Sequence, residues 1–522
     1  MWNPGEWSAG HWLFSSNQER RGTFEDAPAD PLLPVIVAAL RGEFPARGAQ
    51  AGQRTIATTG AGLKTAFDII VLGAGYTGSA LTAQLGRRAK PGTRILLAGA
   101  EDALGLAYGA AKPMHLLNVA AGRMSMWPDQ PDDFVQWLMS NGYEAEQEIQ
   151  GVPLPERFIP RAIYGAYVQD RLREAISATC GSVERRTAQA VGLDRTDGMW
   201  TVHFADGSTA AAPVVAICLG NQVGALPVPA AGIDAQAIDR IITDPWRDPR
   251  LEAIEPDERV LVIGTGLTMV DFVLQREHDG HTGQTIAISR RGILPAAHAL
   301  HAEPGVRTPG IEQPLTLLEL TRLVRRTIAE RAADGEDWRP VVDGLRPDTQ
   351  RLWMGLTPEE QSRFLRHLGT QWGVARHRMP PIANDRLASM RGDGRLEILS
   401  GRVAAVAKVD DKLDVTLDLR GDHESQHRQV DWVVNCTGPG RDPARTGNPF
   451  LLALLEAGIA RSDVLRLGLE TDTNDQVIGR DGKPQPGLYA LGPVAMGRLY
   501  EIVAVPDLRV QCAEVAERVL EA

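Results

Sequence analysis

The sequence predicts an α/β chain of two similar modules, each built on a parallel sheet, with a helical insertion in the second. Three observations predict it. In Asp68–Ala80 (DIIVLGAGYTGSA) a strand-like apolar run, Ile69–Leu72, leads into Gly73, Gly75 and Gly78 and then a helix-forming stretch. Arg259–Asp271 (RVLVIGTGLTMVD) follows the same plan around Gly264 and Gly266. After each turn comes a β-meander closed by an apolar strand and a glycine, Gly220 or Gly438, so the whole module is duplicated.

Composition narrows the class. A chain of 522 residues, 43% apolar and 23% charged, is expected to form two to four soluble globular domains. Its net charge of −11 argues against nucleic acid as a partner. Cys180, Cys218, Cys436 and Cys512 are far apart and form no CxxC, which opposes a dithiol redox centre or zinc ribbon and fits the cytoplasm. No apolar run reaches the ~18 residues of a membrane span. Pro31–Leu40 is apolar but follows Glu25, Asp26 and Asp30, where a signal segment would be basic, so it reads as a short helix or strand. Residues 1–66 read as an N-terminal extension ending in a Gly/Ala/Thr-rich linker.

In the first turn each glycine has a physical reason. Gly73 permits the tight turn, Gly75 lets the backbone approach a pyrophosphate, and Gly78 lets helix and strand pack closely. The helix start would offer the phosphates unpaired N–H groups and the positive end of its dipole. The next strand is Arg94–Ala98. An acid for ribose hydroxyls is expected at its end; Gly99 holds that spot, and Glu101, slightly late, is the candidate. Three irregular segments follow, Leu104–Gly109, His115–Val119 and Gly122–Pro128, before a helix at Asp132–Leu138. Such loops commonly line a reactive ring. His115 reads as a structural hydrogen-bonding residue or a catalyst. Phe158–Tyr167 opens another helix, with Arg161, Tyr164 and Tyr167 facing the cleft or forming surface.

The second turn replaces the third glycine with Met269, which would hold helix and strand slightly further apart, and Leu267 and Thr268 begin its helix. The following strand, Thr285–Ser289, ends in Ser289, Arg290, Arg291 and Gly292, with no acid where NAD would want one. Two guanidiniums there suit a ribose 2′-phosphate, so NADPH is expected over NADH; otherwise they are solvated surface charge. Residues 303–380 interrupt this module with helical sequence at Leu315–Ala333, Thr349–Leu356 and Pro358–Leu368. His367, Arg376, His377 and Arg378 form a polar cluster there, suited to an anionic substrate, the nicotinamide nucleotide or helix capping. His298 and His301 lack a third ligand, so no metal site is expected. Gly487–Gly492 (GLYALG) is a late strand returning to the first module, followed by Tyr500–Pro506 and a helix at Asp507–Glu521. The expected domains are therefore 67–235 with 446–522, and 236–445 carrying the insertion.

The runs HLLNV, GRMS, GTGLTMVD, SRRG, RHRMPP and YEIVAVPDLR resemble the FAD/NAD(P)-binding protein family related to the class B and N-hydroxylating flavin monooxygenases. The resemblance covers residues 67–522. It implies two Rossmann-like dinucleotide-binding domains, with FAD in the first and NADPH in the second. By position, Gly73, Gly75, Tyr76, Thr77 and Gly78 would hold the FAD pyrophosphate. Asn118, Arg123, Met124 and Ser125 would lie near the flavin, with Gly492 approaching the ribityl chain. Gly264, Gly266, Leu267, Thr268, Ser289, Arg290 and Arg291 would hold NADPH. This chain departs from related flavoproteins at Pro493, where an Asp often stands. Asp431–Pro439 (DWVVNCTGP) is a partial match to the hydroxylases' Asp-x-x-x-Leu-Ala-Thr-Gly-Tyr, with Thr437 and Gly438 kept, and no Baeyer–Villiger fingerprint is present. The activity implied is an FAD-dependent NADPH oxidoreductase, a monooxygenase hydroxylating an amine, sulfide or similar small nucleophile. The alternatives are a reductase or dehydrogenase that does not oxygenate, and a non-catalytic flavin-binding sensor or partner-binding protein.

Overall fold

The computed structural model describes residues 65–100, 104–143, 152–300 and 303–521. The extension, including Pro31–Leu40, lies almost wholly outside them, as does Glu101.

The first module begins with β1 (Thr65–Ala66), β2 (Ile69–Leu72), α1 (Tyr76–Arg88) and β3 (Arg94–Gly99). It continues through α2 (Asp133–Ser140), α3 (Arg161–Ala178), β4 (Ser182–Thr187), β5 (Ala190–Thr196), β6 (Met199–Phe204), β7 (Thr209–Ala212) and β8 (Val214–Ile217). The second module contributes β9 (Ile241–Ile242), β10 (Val260–Ile263), α4 (Leu267–His278) and β11 (Thr285–Ser289). The insertion holds α5 (Leu317–Ala333), α6 (Arg339–Gly344), α7 (Thr349–Gly355), α8 (Pro358–His367) and α9 (Gly369–Arg376). Then come α10 (Pro381–Gly392), β12 (Leu396–Val409), β13 (Lys412–Leu419), β14 (Gln426–Val430) and β15 (Trp432–Asn435). The chain closes with α11 (Pro449–Ala457), β16 (Gln476–Ile478), β17 (Pro484–Ala490) and α12 (Val505–Glu521).

Three sheets result, ordered β16-β17-β8-β2-β3-β4, β1-β7-β6-β5 and β14-β13-β12-β11-β10-β15-β9. In the first, β17, β8, β2, β3 and β4 are parallel, so the late strand β17 sits beside β8. The period of two along each strand divides its apolar residues between two cores. Val71, Ile95 and Leu97 face the helices, whereas Ile70, Leu72 and Leu96 face the small antiparallel sheet. Helix α1 packs between α3 and α12.

The two meanders are not built alike. The first stretch, 183–196, breaks near Ala188: β4 stays in the parallel sheet while β5 crosses to the antiparallel one. Its counterpart in the second module is one continuous strand, β12. It runs parallel to β11 at one end and antiparallel to β13 at the other, with an irregularity between Val403 and Ala405.

Two connections join the modules and touch each other. Gly440 N–H donates to Gln222 O at 2.9 Å, and Asn448 donates to the Gln222 side chain at 2.8 Å. A Cβ on Gly224 would lie 2.3 Å from Gly438 O, so only glycine allows this approach.

The insertion leans on the first module. Trp353 stacks on Tyr500 at 4.4 Å and donates to Gly497 O at 2.9 Å, while Gln350 donates to Tyr500 O at 2.7 Å. Capping boxes at Thr316/Glu319 and Thr357/Glu360 fix the starts of α5 and α8. Among the described residues no helix is long and apolar enough to cross a membrane.

Candidate functional site

The first turn is shaped by its glycines in three different ways. Gly73 has φ +108°, and a Cβ there would meet Cys218 O at 2.3 Å. A Cβ on Gly78 would lie 1.8 Å from Gly73 O, so the helix rests directly on the turn. Gly75 has room: its nearest neighbour would be Leu104 O at 3.9 Å. Packing therefore does not require glycine at position 75, whereas close approach of a ligand would. Helix α1 has no side-chain cap, and its first backbone bond is Ser79 N–H to Gly75 O at 2.9 Å. The N–H groups of Tyr76, Thr77 and Gly78 thus have no backbone acceptor among the described residues, which suits a pyrophosphate.

Only the backbone of Tyr76 can serve there. Its ring is buried in an aromatic cluster with Tyr108 and Tyr164. Tyr164 and Tyr167 are also fully buried, so they belong to neither cleft nor surface. At the end of β17, Gly492 has φ +71°, and a Cβ there would sit 2.8 Å from Thr77 Oγ1. Its N–H donates to Gln511 Oε1 at 2.9 Å. The other candidates lie on the neighbouring loop. Met124 and Ser125 are buried; Ser125 Oγ is engaged within its own turn by Trp127 and Gln130. Arg509 donates to Ser125 O at 3.0 Å, tying that loop to α12. Asn118 O accepts from His298 of the second module at 3.0 Å, and Arg123 is exposed.

The second turn repeats the first. Gly264 has φ +114°, and a Cβ there would meet Cys436 O at 2.3 Å, while a Cβ on Gly266 would meet nothing within 4 Å. Helix α4 is again without a side-chain cap, which leaves Leu267 and Thr268 to present their N–H groups. Met269 is fully buried. Ser289 acts as a brace: its Oγ accepts from Gly292 N–H at 3.1 Å and donates to Thr265 Oγ1 at 2.8 Å, which donates to Ile293 O at 2.7 Å. The brace holds the loop bearing Arg290 and Arg291. Arg290 is exposed with no side-chain partner among the described residues, and Arg291 reaches only His367 O, at 3.4 Å.

Residues 70–222 match the FAD-NAD(P)-binding family. Solved structures share the fold over most of the chain. Ornithine N-hydroxylase from Kutzneria sp. 744 is 16% identical with a TM-score of 0.57, covering 87% of this chain and 99% of its own. Ornithine hydroxylase from Pseudomonas aeruginosa is 15% identical with a TM-score of 0.60, covering 88% and 99%. Bacillithiol disulfide reductase from Staphylococcus aureus is 11% identical with a TM-score of 0.52, also covering 88% and 99%. Comparison with curated protein sequences finds no match. The fold is that of flavoproteins with two dinucleotide-binding domains.

Within this fold the helix of the second turn, α4, packs on loops of the first module. Arg161 pairs with Asp271 of α4 at 2.9 Å, and Met114 N–H donates to Gln275 Oε1 of the same helix at 3.0 Å. Burial pushes the Asp271 carboxyl up to about 6 against the pull of Arg161. His115 packs edge-on to Trp246 and accepts from Lys112 N–H; burial, then the charges of Arg161 and Lys112, pull it down to about 3. It is held neutral as a structural acceptor. His298 is likewise lowered to about 4, chiefly by burial. The sequence had not singled out Asp271 or Gln275 as interface residues; the signal available was their position on the second turn's helix.

Of the polar cluster expected near the insertion, Arg376, His377 and Arg378 are engaged in ion pairs, while His367 is exposed at the end of α8. Arg376 and His377 converge on buried Glu501 at 3.4 and 3.2 Å, and Arg378 pairs with Asp343. Each of these three side chains therefore already faces a carboxylate. Beside them, between α12 and the insertion, lies a cleft of about 460 Å³ whose lining includes Arg123, Arg346 and Arg509. Among the described residues no cluster of side chains could hold a metal ion.

Proposed function

We propose that this chain is an FAD-dependent NADPH oxidoreductase, and specifically a monooxygenase acting on a soft nucleophile such as an amine or sulfide. One observation carries the reading. Two helices begin uncapped at glycines whose missing side chains leave open space, Gly75 and Gly266, and the second helix abuts the loops of the first module. Bound FAD would supply the electron transfer, with NADPH as the source of reducing equivalents. The protein's own part is positional. The N–H groups of residues 76–78 hold pyrophosphate, Arg290 and Arg291 select the 2′-phosphate, and the Asn118–Ser125 loop shields the reacting ring from water.

The purified protein should be yellow, and its visible absorbance should bleach on anaerobic addition of NADPH. Reoxidation by oxygen, followed by stopped flow with product analysis, tests the finer statement. Hydroxylated nucleophile supports a monooxygenase; hydrogen peroxide released at once in stoichiometric amount supports the non-oxygenating oxidoreductase. Firmly bound FAD with no NADPH oxidation by any acceptor would support a sensor.

A further inference from the structure

We propose that the cleft between the first module and the insertion is a recognition site for a small dianion, the two negative charges being carried by the amine- or sulfide-bearing substrate on which the bound flavin would act. The proposal rests on the preceding reading, which sets the flavin against the loop that carries Arg123. The cleft is walled by that loop and the start of α12 on one side. The end of α6 and the Arg346–Asp348 turn form the other. Its volume of about 460 Å³ suits a metabolite-sized ligand.

The charges lining it do not balance. Arg123, Arg307, Arg346 and Arg509 face Asp343 and Asp348. Both acids are held by arginines from outside the lining, Asp343 by Arg378 and Asp348 by Arg351 at 2.6 Å. Arg346 is paired with Asp507 at 3.2 Å, and Arg307 reaches Glu312 only at 3.9 Å. Arg123 and Arg509 remain with no acidic partner among the described residues. Arg509 gives one N–H to Ser125 O, while its buried Nε has no hydrogen-bond partner. Burial lowers the affinity of Arg346 for its proton, Asp507 opposes this, and Arg376 and Arg123 add like-charge repulsion. In a chain of net charge −11, this local excess of positive charge is opposite in sign to the whole. Two unpaired guanidiniums call for two negative charges, and their forked donors match a carboxylate or a phosphate. A dicarboxylate and a phosphomonoester satisfy that chemistry equally.

The test uses FAD-loaded protein without NADPH and calorimetric titration with succinate, methyl phosphate and uncharged succinamide. Succinate or methyl phosphate should bind, weaken with added salt and outcompete succinamide; whichever binds tighter identifies the source of charge. Arg123→Gln and Arg509→Gln should each weaken binding about tenfold or more. Arg322→Gln, on the exposed side of α5, should leave it unchanged. Arg123 is at the surface, so its variant tests the site even if the Arg509 variant fails to fold. Equal affinity for succinate and succinamide, or no effect of Arg123→Gln, overturns the proposal. So does loss of FAD from the variants in place of loss of anion binding, because the cleft would then serve the cofactor. A colourless wild-type protein that still binds succinate would instead refute the flavin reading alone.

Discussion

Gly75 and Gly78 stand three residues apart on one turn, yet the structure gives them different tasks, and replacing each by Ala separates packing from binding. At Gly78 the new Cβ would lie 1.8 Å from Gly73 O. An ordinary contact is about 3.4 Å, so α1 must retreat by about 1.6 Å from a buried turn, at an overpacking cost of about 1–3 kcal/mol or more. At Gly75 the nearest atom would be 3.9 Å away, and φ −71° is open to any residue. Gly75→Ala should therefore change stability by no more than about 0.5 kcal/mol. Its effect falls on the cofactor. Forcing the pyrophosphate away from two N–H groups loses two charge-assisted hydrogen bonds of about 1.5–3 kcal/mol each, or about 10²- to 10⁴-fold in FAD affinity. Gly75→Val, with two further methyls, should retain no flavin. Urea denaturation of the FAD-free proteins, with FAD titration followed by fluorescence quenching, measures both quantities. A stoichiometrically yellow Gly75→Val protein, or a Gly75→Ala protein as destabilised as Gly78→Ala, would refute the reasoning.

Three further outcomes are expected. Replacing Arg290 and Arg291 together by Ala should raise the KM for NADPH by about tenfold or more and that for NADH little, and equal effects would remove both from the 2′-phosphate site. Removing one member of the Arg161–Asp271 pair leaves a buried charge, so Arg161→Met should cost about 3–5 kcal/mol in urea denaturation at pH 8. Adding Asp271→Asn should recover part of that loss; strict additivity would show the pair to be uncoupled. Acid stability should follow the histidines: His115 and His298 are depressed to about 3 and about 4. Their contribution is whole above their unfolded value of about 6.5 and is lost as pH falls through the folded values, at up to about 1.4 kcal/mol per pH unit each. Asp271, raised to about 6, acts oppositely: its contribution is present below about 3.8 and lost as pH rises through 6. Replacing both histidines with Gln should flatten stability against pH between 6.5 and 4, and an unchanged slope would contradict their burial as neutral rings.

The two turns were legible because glycine spacing after an apolar strand reports a backbone requirement, and the structure shows it at Gly73, Gly78 and Gly264. The unbroken apolar run Ile69–Leu72 likewise announced a strand buried on both faces. Less local features were hidden. Helices α6 and α9 are short and take their stability from packing, so their sequence carries little periodic signal. Tyr164 and Tyr167 look polar in sequence, but their rings complete an aromatic core with Phe134 and Trp137. Arg376 and His377 resembled a free anion site because their counter-charge, Glu501, lies more than a hundred residues away and is held there at φ +65°. For the same reason no spacing rule joins Arg123 to Arg346 and Arg509. They meet only when the insertion folds back over α12.

The touching connections at Gln222 and Gly440 act as a knot in a doubled rope. Both crossings are tied at one place, and the Arg161–Asp271 and Met114–Gln275 contacts join the same halves elsewhere. The insertion fastens them again, through the indole of Trp353 lying flat on the Tyr500 ring. Any swing that carries the insertion along with the second sheet must peel these rings apart. The latch therefore sets how readily the second module can change its approach to the first.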